Sequence, residues 1–228
     1  MFDRSSDLAG AGSSRGSLPQ PCRLIMASRL AVEFPLAPER VVRGFRITSE
    51  GSSGTVLFLH DLGKDLDEFG TLPDLLAEQR WDVVCVDLIG HGLSDGDEAE
   101  PALLHSDVRA IFGQLTEPGR PLGLVASGTT STVSSLIGRA DGVVAHVVMN
   151  PVLDDSICSQ GQRAQATRMV LHGDGEKLVG TPTQKFFQFQ LGEKMLVHNP
   201  VMAKGVAGVL EERALRAHFE LFFKRYLK

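Results

Sequence analysis

The chain has 228 residues, 43% hydrophobic and 22% charged, which is enough apolar sequence for one domain with a sizeable core. Its formal net charge of -5 arises from mixed signs without a long basic run, which argues against nucleic-acid binding. No apolar run reaches the roughly 18 residues that span a bilayer, and the N-terminus lacks the basic-then-apolar order of a secretory signal, so we expect a cytoplasmic protein.

The first 27 residues are rich in Ser, Gly, Ala and Pro, a composition that cannot bury a core. We therefore predict a disordered tail over residues 1–27 and a folded domain over residues 28–228. Met26 lies where patterned sequence begins, so we hypothesise that it is the true translation start. The cysteines Cys22, Cys85 and Cys158 lie far apart without C-x-x-C spacing, so we expect neither disulfides nor a zinc site, and no cofactor. Cys85 lies in an apolar segment and is expected in the core.

Apolar segments then alternate with turn residues and helical patterns along the chain. Strands are predicted over residues 41–47, 55–59, 81–86, 122–126, 143–149, 169–171 and 195–197. Helical periodicity covers residues 69–79 and 210–227. This alternation predicts an α/β fold, with a mainly parallel central sheet and helices on both faces. Ligands of such sheets bind at the carboxyl ends of the strands.

Three motifs carry a family resemblance, in a consistent order along residues 30–227. The segment Leu59-His60-Asp61-Leu62-Gly63 resembles the His-Gly loop of α/β-hydrolases, and Asp87-Leu88-Ile89-Gly90-His91-Gly92-Leu93-Ser94 resembles their D-x-x-G-H-G-x-S segment. The segment Leu171-His172-Gly173-Asp174-Gly175-Glu176 resembles the stretch before their catalytic acid. The resemblance implies an α/β-hydrolase fold. Few residues separate 143–149 from 169–171, which implies little or no cap domain.

The nucleophile elbow of this family reads G-x-S-x-G, a strand followed by a sharp turn into a helix. Here Ala126 and Thr130 align with the two glycines, and Gly128 aligns with the serine. Glycine has no oxygen that could attack a carbonyl. Ser127 falls one residue early, and side chains alternate along a strand, so we expect Ser127 to point away from the pocket unless the register shifts.

The resemblance also implies positions for the other site residues. The turn of His60, Asp61 and Leu62 and the backbone N–H of Thr129 correspond to the pocket and oxyanion hole, where a carboxylate on Asp61 would oppose an oxyanion unless it were protonated or paired.

Glu176 corresponds to the triad acid and Val206 to the general base, while Asp174 is expected to be a turn residue. His198 lies too early for the base unless the loop is altered. We expect His91, Ser94 and His218 to be structural.

With neither nucleophile nor base at its expected position, we predict an α/β-hydrolase-fold protein that has lost serine-hydrolase activity and binds a small acyl-type ligand or a protein partner. One alternative is an esterase or thioesterase, or a non-hydrolytic lyase or cyclase, that uses Ser127, His198 and Glu176 as catalytic residues. Another is an interaction subunit with an exposed apolar patch around Phe186, Phe187 and Phe189. In a soluble monomer those phenylalanines are expected to pack on the sheet instead.

Overall fold

The computed structural model describes residues 28–97, 101–152, 166–172, 181–198 and 205–228, and for His198 and Ala207 it describes only the backbone. The predicted tail over residues 1–27, with Met26, lies outside these residues. So do Cys22, Cys158, Asp174 and Glu176.

A mainly parallel sheet forms the centre of the protein, as the sequence predicts, and in the described residues it has eight strands. Its strands are β1 (Ser28–Ala37), β2 (Arg40–Thr48), β3 (Thr55–Leu59), β4 (Asp82–Asp87), β5 (Leu122–Ser127), β6 (Val143–Met149), β7 (Thr167–His172) and β8 (Lys194–His198). Their order in the sheet is β1-β2-β4-β3-β5-β6-β7-β8. Only β2 runs against its neighbours, and all pairs from β4 to β8 are parallel. Every residue of β3, β4 and β5 is buried, including Cys85, because helices cover both faces.

The helices are α1 (Leu72–Glu78), α2 (Leu104–Leu115), α3 (Gly128–Ser134), α4 (Pro182–Phe189), α5 (Gly205–Glu211) and α6 (Arg213–Tyr226), with 3₁₀ turns at Leu66–Phe69 and Arg139–Asp141. On one face of the sheet, α1, α5 and α6 bury a cluster that contains Phe58, Val206 and Phe219. On the other face, α2 and α3 cover a second cluster. Within the described ranges, no helix has the length and apolar character needed to cross a membrane.

The three phenylalanines of α4 belong to this packing. Phe186 is fully buried against Val148 and Val170, and Phe187 and Phe189 are partly buried beside it. The sequence-based expectation that they pack on the sheet is confirmed, so these side chains do not form the exposed patch of an interaction subunit.

Three parts of the structure differ from the sequence prediction. Strand β1 was not predicted; it lies at the sheet edge, and its core-facing residues Val32, Phe34 and Leu36 alternate with exposed ones only over a short stretch. Pro35 interrupts this stretch, and proline argues against a strand except at a sheet edge. The predicted final helix over residues 210–227 is two helices, because the backbone at Glu212 is extended. Similarly, the predicted helix over residues 69–79 is a 3₁₀ turn followed by α1, with Gly70 at a φ of 49° between them.

The strand order creates a crevice at the centre of the sheet. The chain leaves β3 toward β4 on one side and later returns to β5 on the other side of β3. The carboxyl ends of β3 and β5 therefore lie side by side where the connections diverge, which is where ligands bind in open α/β sheets. The loop that begins at His60 and the β5–α3 junction meet at this point.

Candidate functional site

The junction of β5 and α3 has the geometry of an elbow. Ser127 is the last residue of the strand, and Gly128 begins the helix directly, with a φ of 52°. This left-handed conformation is open to glycine and strained for residues with a Cβ. The strand, sharp turn and helix predicted from the sequence are confirmed.

The space that a nucleophile would need at Gly128 is filled by Asp61. A Cβ built on Gly128 would lie 1.9 Å from both Cγ and Oδ2 of Asp61, whereas real Cβ atoms essentially never come within 3.0 Å of another heavy atom. The carboxylate therefore occupies the volume directly above the elbow. No side chain fits at position 128 while Asp61 stays where it is.

The two predicted oxyanion-hole donors converge on this carboxylate. The backbone N–H of Leu62 donates to Asp61 Oδ1 over 2.8 Å, and the backbone N–H of Thr129 donates to the same oxygen over 2.7 Å. From the sequence, Asp61 was expected to oppose an oxyanion unless its carboxylate were protonated or paired. In the structure Asp61 is paired with both donors, and the point where they meet is taken.

Ser127 is directed toward a residue that the sequence analysis did not single out. Its hydroxyl is buried and donates to Glu68 Oε2 over 2.6 Å. The same carboxylate oxygen accepts from the backbone N–H of Asp61 over 2.9 Å. Glu68 thus ties the end of β5 to the loop after β3. It lies in a short 3₁₀ turn without a motif, so no local pattern could have identified it.

His60 is a buried structural residue. Its Nδ1–H donates to the Asp61 carbonyl over 2.8 Å, and its Nε2 accepts from the backbone N–H of Leu88 over 2.9 Å. Both bonds are satisfied by the neutral ring, and burial is the main cause that lowers the pKa of His60 below its usual value. His60 therefore holds the loop after β3 against the end of β4 and offers no proton to the elbow.

The turn with His91 and Ser94 is scaffold, as expected. His91 Nε2 accepts from the backbone N–H of Gly63 over 2.9 Å, and the Ser94 hydroxyl donates to the Asp87 carbonyl over 2.5 Å. His218 lies on the exposed surface of α6, where its Nδ1–H donates to the Ala214 carbonyl over 2.7 Å. All three side chains have local partners.

The residues predicted at the positions of the base and the acid lie in different parts of the structure or outside its described residues. Val206 is buried at 3% exposure in the core beneath α5 and carries no titratable group. Glu176 lies outside the described residues, so its prediction as the acid stays a prediction. His198 ends β8, and three strand spacings separate β8 from β5. Its side chain lies outside the described part of the structure, so its prediction as a catalytic residue stays a prediction.

Among the described residues, no cluster of three or more His, Cys, Asp or Glu side chains could hold a metal ion. The described site consists of two backbone N–H donors that are both bonded to Asp61, the carboxylates of Asp61 and Glu68, and the hydroxyl of Ser127.

Comparison with known proteins identifies the architecture. No family model matches the sequence, and no curated protein does. An esterase from Pyrococcus furiosus superimposes with a TM-score of 0.74 at 16% identity, over 90% of this chain and 93% of that chain. This protein has the α/β-hydrolase fold.

Other solved structures share this α/β-hydrolase fold. A dienelactone hydrolase from Anabaena variabilis has a TM-score of 0.73 at 18% identity over 89% of this chain and 99% of that chain, and the α/β hydrolase GrgF from a Penicillium species has 0.69 at 13% over 88% and 99%. The α/β-hydrolase fold here carries little cap, since only residues 150–166 connect β6 to β7.

Proposed function

We propose that this α/β-hydrolase-fold protein is not a serine hydrolase and that it acts by binding. The observation that carries the proposal is the Asp61 carboxylate, which fills the volume of a nucleophile above Gly128. An acyl-enzyme route needs an activated nucleophile and free oxyanion donors at the same point. Asp61 occupies that point and both donors.

Ser127, the alternative nucleophile, is already hydrogen-bonded to another residue. The Ser127 hydroxyl donates a hydrogen bond to Glu68 Oε2 over 2.6 Å. Although a carboxylate can act as a general base, this one also accepts from the Asp61 backbone N–H, which makes it a tie between two segments. The predicted general-base position holds the buried Val206, which cannot move a proton. These contacts support a protein that keeps the scaffold of an esterase without its chemistry.

Two assays test the proposal on the full-length protein. We expect no turnover of p-nitrophenyl acetate or butyrate above a heat-denatured control, and no labelling by a fluorophosphonate probe. The variant Ser127→Ala is the matched control, because it removes the only hydroxyl beside the elbow glycine on the β5 side. Labelling or turnover that disappears in Ser127→Ala would overturn the proposal and restore the esterase alternative.

A further inference from the structure

The contacts of Asp61 also define which ligands can reach the elbow. Its Oδ1 accepts from two backbone N–H groups that belong to different segments, Leu62 after β3 and Thr129 in the first turn of α3. Two N–H groups that converge on one oxygen form a site for an anionic oxygen. The donor geometry is complete, and its occupant comes from the chain itself.

We propose that Asp61 is a built-in ligand of this two-donor anion site and determines its specificity. In the wild-type protein its carboxylate excludes carboxylates and other oxyanions from the elbow. When its side chain is removed, a small free carboxylate takes its place. This inference rests on the proposed function, which it deepens by naming the class of ligand that the site rejects.

The exclusion follows from tethering. A carboxylate held on the chain next to its donors competes at a high effective concentration, in the millimolar range or above, against any free ligand. Leu62 is the next residue after Asp61, so the first hydrogen bond is local, whereas Thr129 lies 68 residues away. The second bond therefore depends on the tertiary fold and fixes the carboxylate in the elbow.

The rest of the elbow is built to accept this carboxylate. Gly128 has no Cβ, and any Cβ there would overlap Asp61. Glu68 binds the backbone N–H of Asp61 and the hydroxyl of Ser127, so it positions the Asp61 backbone relative to β5. Asp61 and Gly128 thus form a matched pair, and the acyl-type ligand expected from the sequence finds no free donor in the wild-type site.

The test compares the wild-type protein with Asp61→Gly and Asp61→Asn in a titration with sodium acetate at constant ionic strength, maintained with sodium chloride. The backbone amide resonances of Leu62 and Thr129 are followed by ¹⁵N NMR. In Asp61→Gly we expect saturable shifts of both amides, with an affinity at least tenfold tighter than in wild type. Asp61→Asn is the isosteric control: its amide oxygen accepts from the same two donors, so acetate should leave both resonances unchanged.

Two results would overturn the proposal. One is a folded Asp61→Gly protein whose Leu62 and Thr129 amides ignore acetate; the other is an equal response in wild type and Asp61→Gly. If Asp61→Gly fails to fold, Asp61→Asn still tests whether the Asp61 side chain occupies the donors. Its Thr129 amide proton must shift upfield relative to wild type, because a neutral oxygen is a weaker acceptor than a carboxylate. An unchanged resonance would count against the contact and therefore against the proposal. These readouts are independent of fluorophosphonate labelling. Acetate binding can therefore be refuted while the protein proves inactive as a hydrolase, and hydrolase activity can be found while acetate binding is confirmed.

Discussion

Placing a serine at the elbow should destabilise this protein rather than activate it. In Gly128→Ser the new Cβ would lie 1.9 Å from Asp61 Cγ, so the carboxylate must leave its two donors. A hydrogen bond to a charged group contributes about 1.5–3 kcal/mol, and water can replace part of it at this half-buried site, so we take about 2 kcal/mol for the pair. The left-handed backbone adds about 1 kcal/mol once a Cβ is present. The expected loss is about 3 kcal/mol of unfolding free energy.

A double-mutant cycle with Asp61→Gly isolates the clash. Asp61→Gly alone loses the same two hydrogen bonds, about 2 kcal/mol. In that background Gly128→Ser has no carboxylate to displace, so only the backbone term of about 1 kcal/mol remains. The double variant should therefore lose about 3 kcal/mol instead of the additive 5, which is a coupling of about 2 kcal/mol.

Urea unfolding followed by the fluorescence of Trp81, the single tryptophan, measures all four proteins. Gly113→Ser is the control, because a Cβ on Gly113 meets nothing within 4 Å. Effects of Gly128→Ser and Asp61→Gly that add to within about 0.5 kcal/mol would refute the reasoning. We also expect no hydrolysis of p-nitrophenyl acetate by the double variant, since Val206 still occupies the position predicted for the base.

Three further outcomes follow from the described contacts. Ser127→Ala should lose about 1.5–3 kcal/mol of unfolding free energy in urea, because Glu68 loses a charge-assisted hydrogen bond, whereas the exposed Ser53→Ala should stay within about 0.5 kcal/mol. Burial lowers the pKa of His60 and of His146 in the folded protein, while in the unfolded chain both have a pKa of about 6.5. Below that pH the unfolded chain binds more protons than the folded protein, so the unfolding free energy should rise from pH 5 to 7 and level off above pH 7. A flat profile would contradict this expectation. So would a profile that is as steep in His146→Leu as in the exposed control His218→Gln. Gly44→Ala should lower the unfolding free energy by more than about 3 kcal/mol or abolish soluble expression, because its Cβ would lie 1.9 Å from the Cys85 carbonyl oxygen. The control Gly113→Ala in α2 should be neutral or stabilising by about 0.5–1 kcal/mol. Equal melting temperatures of the two variants would be inconsistent with this packing.

Much of the architecture could be predicted from the sequence because its signals are local. The fully buried strands β3, β4 and β5 read as continuous apolar runs, and such runs mark parallel strands covered on both faces. Strand β1 was missed since Val32, Phe34 and Leu36 alternate only over a short stretch that contains Pro35, and the sequence does not show that this strand lies at a sheet edge, where proline is tolerated. The break at Glu212 was missed since an extended residue between two amphipathic segments leaves the helical period nearly intact.

For the site, the sequence by itself predicted what is missing: glycine at position 128 has no nucleophilic atom, and valine at position 206 has no basic group. What stands in their place was decided only by the tertiary structure, because the contacts join residues far apart in the chain. Asp61 meets Thr129 across 68 residues, and Ser127 meets Glu68 across 59. The sequence shows a carboxylate near the pocket; only the packing of β3 beside β5 brings that carboxylate into the donors at the elbow.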